Sequence, residues 1–196
     1  MGNGKDALTV NQTILTWAQG KLGKKIGRGK CWDLGEAALK NAGAKTSRDL
    51  GPVDEDSDYI WGDPIDIKDV QPGDIMQIRD HLVVTKTVTE YTFGDGNSIK
   101  VTGEREAVRG HHTAIAATLP DANGVISTYE QHVNGRDVVQ TLRLNTRSLN
   151  TVTTKGQEKY KNPGTKKMEQ ADFVRTVKVT VTGTIQAYRP KPKTTK

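Results

Sequence analysis

Two stretches in the first quarter of the chain place apolar residues at helical spacing. Between Thr9 and about Leu22 this spacing predicts an amphipathic helix whose apolar positions are Val10, Ile14, Leu15, Ala18 and Leu22. A second helix is predicted from Cys31 to Asn41, with an apolar stripe of Leu34, Ala37, Ala38 and Leu39. Gly43 follows as a typical C-terminal stop, because glycine adopts the left-handed conformation that ends many helices.

The remainder of the chain alternates between strand-like runs and turn-rich stretches. Residues 45–73 are rich in Asp, Pro and Gly and predict an irregular excursion over the surface. Alternating runs predict strands at Asp74–Ile78, Leu82–Thr89, His112–Leu119, Val125–Val133 and Asp137–Leu144, with a further long strand or hairpin at Phe173–Tyr188. Residues 93–110 predict a hairpin or a mobile loop. The predicted fold class is therefore α+β, with helices first and an antiparallel sheet after them.

The length of 196 residues fits one globular domain, which we expect to span residues 9–190. Residues 1–8 are expected to form a flexible N-terminal arm and residues 191–196 a flexible tail. Residues 145–171 carry five lysines and no apolar period, so they predict an exposed loop or a disordered insertion within the domain.

A net charge of +6 and a pI near 9.3 would suit an anionic partner such as a cell-wall polymer or nucleic acid. Nucleic acid is the weaker choice, because the lysine-rich stretch has Tyr160 as its only aromatic residue and no nucleic-acid motif. No apolar run approaches membrane-spanning length, so no membrane partner is expected. The N-terminus lacks the apolar core of a signal peptide, which leaves the compartment open: cytoplasmic, or exported by another route. The oligomeric state is not indicated.

The single cysteine has the setting of a presented nucleophile. Cys31 is placed at the predicted start of a helix, where the helix dipole favours thiolate over thiol. The loop before it is basic, and its glycines Gly27 and Gly29 permit a sharp turn and close approach of a substrate. The alternative is a small cysteine that merely packs, which is the commoner case for a lone cysteine. A nucleophile therefore needs a matching base elsewhere in the chain.

A histidine-bearing hairpin supplies that base. The PDANG sequence at residues 120–124 is a turn signal between two strand-like runs. If the turn is centred on Ala122, Ala116 lies opposite Thr128, and His112 lies opposite His132 on the same face as Glu130. Ala114 and Ala116 beside His112 would leave room for the Cys31 helix to pack closely.

These residues predict a catalytic trio in which Cys31 attacks, His112 transfers the proton and His132 orients His112. Glu130, one pleat along, is the reserve for the third role. The alternative is a surface hairpin that happens to carry histidines. Zinc binding by the same residues is disfavoured, because only Glu130 and His132 have the short spacing of metal ligands. No metal and no cofactor is predicted.

Three aromatic residues are candidates for substrate binding. Trp32 follows the cysteine directly and is placed to wall the cleft, although packing beneath the helix is the alternative. Tyr59 and Trp61 lie in the irregular excursion, where exposed aromatics often line grooves. The alternative for them is to pin that loop to the sheet.

Four segments, in this order, resemble the papain-like NlpC/P60 and CHAP amidase superfamily. GRGKCWDLGEAAL is similar to its nucleophile loop and helix, and VQPGDIMQI to the strand that follows. HHTAIA resembles the CHAP histidine strand and selects His112 over His111, and YEQHVNG resembles the strand that carries the third residue. Papain has a glutamine six residues before its cysteine, whereas this chain has Lys25; NlpC/P60 enzymes also lack that glutamine.

The resemblance covers roughly Thr9–Leu144. It implies a papain-like (NlpC/P60-like) fold, with N-terminal helices packed on an antiparallel β-sheet or half-barrel. It also implies a cysteine peptidase or amidase that cleaves peptide-type amide bonds, with peptidoglycan peptides of the cell wall as the leading substrate. A deamidase or acyltransferase would use the same trio. The competing class is a non-catalytic binding module on the same scaffold.

Overall fold

The structure is a computed structural model that describes residues 7–54 and 56–193. Three helices come first: α1 (Ala7–Gln19), α2 (Cys31–Ala42) and the short α3 (Ser47–Leu50). A short strand β1 (Asp63–Ile65) and a 3₁₀ helix (Ile67–Asp69) follow. The remaining elements are the strands β2 (Ile75–Phe93), β3 (Ser98–Ala116), β4 (Val125–Glu130), β5 (Gln140–Asn145), β6 (Leu149–Lys161) and β7 (Met168–Arg189).

The fold is mostly antiparallel β-sheet, with 51% strand and 16% helix. The strands form one seven-stranded sheet in the order β1-β7-β2-β3-β4-β5, and β6 also pairs with β7. The predicted α+β, papain-like fold with N-terminal helices packed on the sheet is therefore wrong. The physical reason is strand length: β2 and β3 each run for 19 residues, whereas the apolar pattern predicted shorter runs there, Leu82–Thr89 within β2 and His112–Leu119 at the end of β3.

The chain divides into two compact units, which we describe separately. The first comprises the described residues of Met1–His81, Arg109–Arg147 and Gly183–Lys196, and the second comprises Leu82–Val108 and Ser148–Thr182. The first unit contains all three helices, so the residues around Cys31 belong to it.

Two hydrophobic clusters form the core of the first unit. One contains residues of α1 and α2 together with strand residues, among them Ile14, Leu34, Ile75 and Ile115. The other is built from strand residues such as Met76, Ile78 and Ile126. Ala114 and Ala116 belong to this second cluster, which holds no described residue of α2. The expected close packing of the Cys31 helix against these alanines is therefore wrong.

The second unit has a small cluster of its own, built from Tyr91, Phe93 and Ala171. Tyr91 stacks on Tyr160 with ring centroids 4.1 Å apart. The lysine-rich stretch expected to be a loop or disordered insertion forms β6, the turn after it and the start of β7, joined in an antiparallel hairpin. Its strands escaped prediction because most β6 side chains are exposed, so burial leaves no apolar period.

The predicted hairpin register is correct where the strands pair. Ala116 lies opposite Thr128, and Ile115 lies opposite Tyr129. However, β4 ends at Glu130, and His132 has a left-handed backbone with φ of 67°. The backbone has left the strand at that point, so His132 does not continue the face that carries His112.

The ends of the chain differ from the expected arm and tail. Of the predicted arm, residues 1–6 lie outside the described residues, and Ala7 already begins α1. Of the predicted tail, residues 194–196 lie outside the described residues, whereas Pro192 forms a β-bridge with Ala44 and Lys193 pairs with Asp49 at 3.2 Å. Within the described residues, no helix is both long and apolar enough to span a bilayer.

Candidate active site

Cys31 occupies the first turn of α2, as predicted, and the loop before it is shaped by Asp33. The Asp33 carboxylate accepts hydrogen bonds from the backbone N–H of Arg28 at 2.8 Å and of Lys30 at 3.2 Å. Gly27 has a left-handed φ of 56°, and a Cβ added there would lie 2.9 Å from the Asp33 side chain. The loop therefore requires glycine at this position, because a side chain would displace the carboxylate that caps the helix.

Gln131 ties the same loop to the end of β4. Its side chain is fully buried. It accepts a hydrogen bond from the backbone N–H of Ile26 at 2.7 Å, and it donates to the carbonyl oxygens of Ile26 and Lys30 at 3.0 and 2.9 Å. No sequence signal indicated a role for Gln131. Its side chain fixes the position of Lys30, the residue just before Cys31, relative to the end of β4.

The thiol of half-buried Cys31 interacts with the imidazole of His112. Burial raises the pKa of Cys31, but the hydrogen bond and charge interaction with His112 outweigh it and lower that pKa below its ordinary 9.0. Burial lowers the pKa of His112, but hydrogen bonds to Cys31 and Glu130 outweigh it and raise that pKa to about 9. Both shifts favour a thiolate beside an imidazolium, which is the reactive form of a cysteine nucleophile.

Glu130 is the buried acid of the group. Its Oε2 lies 3.1 Å from His112 Nε2 and 2.7 Å from Arg109 Nε. Burial raises the pKa of Glu130, but hydrogen bonds from His112 and Arg109 outweigh it and lower the pKa to about 2. Arg109 Nη2 and the Thr128 hydroxyl both donate to Oε1. The carboxylate is therefore ionised and held on both of its oxygens.

The contact between His112 and Glu130 is an ion pair more than an aligned hydrogen bond. Although the two atoms are 3.1 Å apart, His112 Nε2 has no well-aligned hydrogen-bond acceptor among the described residues. Charge attraction depends on distance far more than on angle, so the pair still stabilises the imidazolium.

His132, predicted to orient His112, lies in a different pair. Its Nδ1 is 2.7 Å from Asp137 Oδ1, and its Nε2 is 3.3 Å from Lys30 Nζ. The structure thus brings together Cys31, His112 and the reserve residue Glu130. It does not bring His132 to His112, because the left-handed backbone at residue 132 takes that side chain out of the strand.

The thiol of Cys31 opens into a cleft of about 440 Å³. Trp32 and Tyr59 line it, in agreement with their predicted positions, and their rings meet edge to face with centroids 6.4 Å apart. Trp61 does not line it: the indole is fully buried in the core, where Nε1 donates to Gln77 Oε1 at 3.2 Å. The other lining residues are Arg28, Lys30, Arg48, Val53, His111 and His132.

Two backbone N–H groups point at the sulfur. Those of Trp32 and Thr113 both hydrogen-bond to the Cys31 side chain and help to lower its pKa. Lys25, which stands where papain has its oxyanion glutamine, is 3.8 Å from Asp137 and does not line the cleft. Backbone donors at the start of α2 are therefore among the groups available to an oxyanion, in place of a side chain at residue 25.

Arg109 is the main site residue that the sequence analysis missed. It lies in β3 three residues before His112, so strict alternation assigns the two side chains to opposite faces. The sequence placed Glu130 on the same face as His112, and a carboxylate that is buried in such a position needs a cation as its partner. Nothing in the residue pattern indicated which of the many arginines and lysines supplies it.

In the described part of the chain, no group of three or more His, Cys, Asp or Glu side chains is arranged to hold a metal ion. Comparison with models of known protein families gives no match to this chain, and neither the curated proteins nor the solved structures give one. The assignment of a function therefore rests on the geometry of the site and on the resemblance of its sequence segments.

Proposed function

We propose that this protein is a cysteine hydrolase that cleaves peptide-type amide bonds through Cys31, His112 and Glu130. The observation that carries the proposal is the unbroken chain of contacts from the Cys31 thiol through the His112 imidazole to the buried, ionised Glu130. Covalent cysteine catalysis requires three parts: a thiolate, a group that carries the proton, and a group that orients that proton carrier.

In the first half of the reaction, the Cys31 thiolate attacks the amide carbonyl carbon and a C–S bond forms. The carbonyl oxygen becomes an oxyanion, to which backbone N–H groups at the start of α2 donate hydrogen bonds. The His112 imidazolium gives its proton to the amide nitrogen as the C–N bond breaks, and the amine leaves. The enzyme is then a thioester with a neutral His112.

In the second half, neutral His112 takes a proton from water as the water oxygen attacks the thioester carbon. The C–S bond breaks, the carboxylic acid leaves, and the thiolate and imidazolium are restored. Glu130 stays ionised throughout, stabilising the imidazolium in the resting state and at each proton transfer. Arg109 and Thr128 act through Glu130 and are positioning residues.

The choice of an amide substrate rests on the resemblance of four segments to the NlpC/P60 and CHAP amidases. That resemblance makes peptidoglycan peptides the leading substrate, and the positive charge of the chain favours approach to an anionic wall. Deamidation and acyl transfer would use the same residues. They differ only in the leaving group or in the nucleophile that attacks the thioester.

The test is the pH dependence of alkylation of the single cysteine by iodoacetamide. We expect wild type to react at pH values well below the ordinary pKa of a thiol, and Cys31→Ala to incorporate no label. We expect His112→Ala to react only as the pH approaches that ordinary value, because the imidazolium no longer stabilises the thiolate. The matched histidine control is His132→Ala, because the His132 side chain is exposed. His81 is unsuitable as a control because it is fully buried.

The companion measurement is hydrolysis of peptidoglycan fragments, with release of new amine and carboxyl groups followed by mass spectrometry. Cleavage that is lost in Cys31→Ala and in His112→Ala supports the proposal. Two results would overturn it: a thiol that titrates like free cysteine, or an alkylation profile that His112→Ala leaves unchanged. Either would favour a binding module in which the cysteine does no chemistry.

A further inference from the structure

We propose that the cleft at Cys31 binds an anionic group of the substrate, namely a carboxylate next to the scissile amide, through Arg28, Lys30 and Arg48. The inference rests on the proposed function, because it specifies the substrate of the same nucleophile. The three cations line the cleft together with Cys31, and among its described lining residues there is no aspartate or glutamate. A substrate entering the cleft therefore meets positive charge on several sides.

The charge of Arg48 is only partly balanced by the protein. Its guanidinium carbon lies 4.8 Å from the centre of the Trp32 ring, and its Nε is 3.8 Å from Glu36 Oε1. The same Glu36 oxygen is 3.3 Å from Lys40, and the other accepts hydrogen bonds from Ser47. One buried carboxylate thus serves two cations, and stacking on Trp32 holds Arg48 at the cleft.

Lys30 is held by a histidine instead of a carboxylate. Its Nζ lies 3.3 Å from His132 Nε2, and His132 Nδ1 lies 2.7 Å from Asp137 Oδ1. Asp137 is in turn 3.8 Å from Lys25. The arrangement fixes the direction of Lys30 without placing a negative charge in direct contact with it.

Arg28 Nη2 lies 3.4 Å from Asp33 Oδ1. The Asp33 carboxylate also accepts hydrogen bonds from backbone N–H groups of the loop. Taken together, the cations of this region are Lys25, Arg28, Lys30, Lys40 and Arg48. They share three carboxylates, those of Asp33, Glu36 and Asp137. Three of these five cations line the cleft, whereas none of the three carboxylates does.

The charges of the reacting groups do not offset this excess of positive charge. Cys31 and His112 together are neutral as a thiolate–imidazolium pair, and Glu130 is paired with Arg109. After acylation both charges are gone, because His112 has given its proton to the leaving amine, so the pair remains neutral and the positive excess of the cleft persists until the thioester is resolved. Arginine forks match the geometry of a carboxylate, so an acidic peptide is the ligand class that fits this lining.

The test compares two reagents of nearly equal size, iodoacetate and iodoacetamide, which differ in charge and react with the same single thiol. We expect the ratio of the iodoacetate rate to the iodoacetamide rate to exceed that of free cysteine in wild type. In the Arg28→Gln/Arg48→Gln double variant we expect the ratio to fall roughly fivefold. In wild type it should also fall as ionic strength rises from about 0.01 to 1 M, because salt screens exposed charges.

The Lys155→Gln/Lys159→Gln double variant is the matched control, because it removes the same two charges from exposed positions of β6 in the other unit. Its ratio should equal that of wild type. The side chains of Arg28 and Arg48 are 76% and 59% exposed, so their replacement leaves the core intact. A second arm follows cleavage of peptide pairs that differ only as Glu against Gln beside the scissile amide, with faster cleavage of the Glu peptide expected.

The two proposals fail in different ways. A ratio equal to that of free cysteine, or a ratio that the double variant does not change, overturns the anionic substrate even if Cys31 is activated. A slow iodoacetamide reaction that His112→Ala leaves unaltered overturns the hydrolase, whatever the ratio. Equal cleavage of the Glu and Gln peptides also counts against a carboxylate-binding cleft.

Discussion

Arg109 donates two hydrogen bonds to the carboxylate of Glu130, at 2.7 and 3.0 Å, and both side chains are buried. A bidentate contact of this kind fixes the plane of the carboxylate. One of its oxygens is thereby held 3.1 Å from His112 Nε2. The orientation of His112, the proposed proton carrier, therefore depends on Arg109, which acts on it through Glu130.

The first prediction concerns Glu130→Gln. The amide keeps the shape of the side chain but leaves buried Arg109 without its negative partner and removes one of the two negative partners of His112, so we expect the free energy of unfolding to fall by about 3–5 kcal/mol. The pKa of His112 should fall, because one of its stabilising partners is gone. Denaturant unfolding and NMR titration of the imidazole measure the two effects. A variant as stable as wild type, with an unchanged His112, would contradict the assigned role.

A second prediction follows from the proton balance of Cys31 and His112. The pKa of His112 is raised from 6.5 to about 9, so its contribution to stability is full below pH 6.5 and is lost as the pH rises through about 9. The pKa of Cys31 is lowered from 9.0, so its contribution is full above pH 9.0 and is lost as the pH falls through the lowered value.

Between pH 6.5 and 9 the pH dependences of these two contributions cancel. The reason is that Cys31 and His112 together hold one proton in the folded protein and one in the unfolded chain. In Cys31→Ala only His112 remains, and Glu130 still raises its pKa. We therefore expect the free energy of unfolding of Cys31→Ala, measured relative to wild type, to decrease as the pH rises from 6.5 to 9. The Cys31→Ala/His112→Ala double variant is the control and should show no such decrease. A decrease of equal size in the control would contradict the assignment.

The third prediction separates the two histidines that the sequence placed opposite each other. Since His132 contacts Asp137 and Lys30 and not His112, His132→Ala should keep the low-pH alkylation of Cys31 that His112→Ala loses. We expect any change in rate to be within about threefold, from altered placement of Lys30. The measurement is the alkylation rate as a function of pH. A His132→Ala profile that matched the His112→Ala profile would restore His132 to the orienting role.

The fourth prediction concerns the glycine loop. Gly29 has φ of 93°, and a Cβ there would lie 2.8 Å from atoms of Asp137 and Lys25. Gly29→Ala should destabilise the protein by about 1–3 kcal/mol and slow alkylation of Cys31 by displacing the loop. Gly23→Ala is the matched control, because Gly23 has φ of 73° but open space around it. Thermal unfolding should show a smaller loss of stability for Gly23→Ala than for Gly29→Ala. Equal losses of stability would mean that the close contacts at Gly29 are unimportant.

Local signals predicted single elements better than they predicted the fold class. The start of α2 at Cys31 and its end at Gly43 followed from apolar spacing and from the glycine that adopts φ of 66°. The pairing of Ala116 with Thr128 followed from the turn at PDANG. These features depend on a few neighbouring residues, which is why a sequence can specify them on its own.

The fold class depended on the long strands, and the sequence signal covered only parts of them. Alternation predicted most of β7, but most of β6 is exposed, so burial imposes no alternation there that a reader of the sequence could detect. What holds such strands is backbone pairing, which every residue except proline can supply. The displacement of His132 from β4 likewise came from one left-handed residue, which no apolar pattern records.

The sequence contains one cysteine in 196 residues, and that cysteine has a lowered pKa. Thiolates are oxidised by peroxide more readily than thiols, first to a sulfenic acid. A sulfenic acid on Cys31 has no second thiol in this chain with which to condense into a disulfide. Its recovery therefore depends on a small thiol from the surroundings, and in the absence of one, oxidation proceeds to the irreversible sulfinic acid.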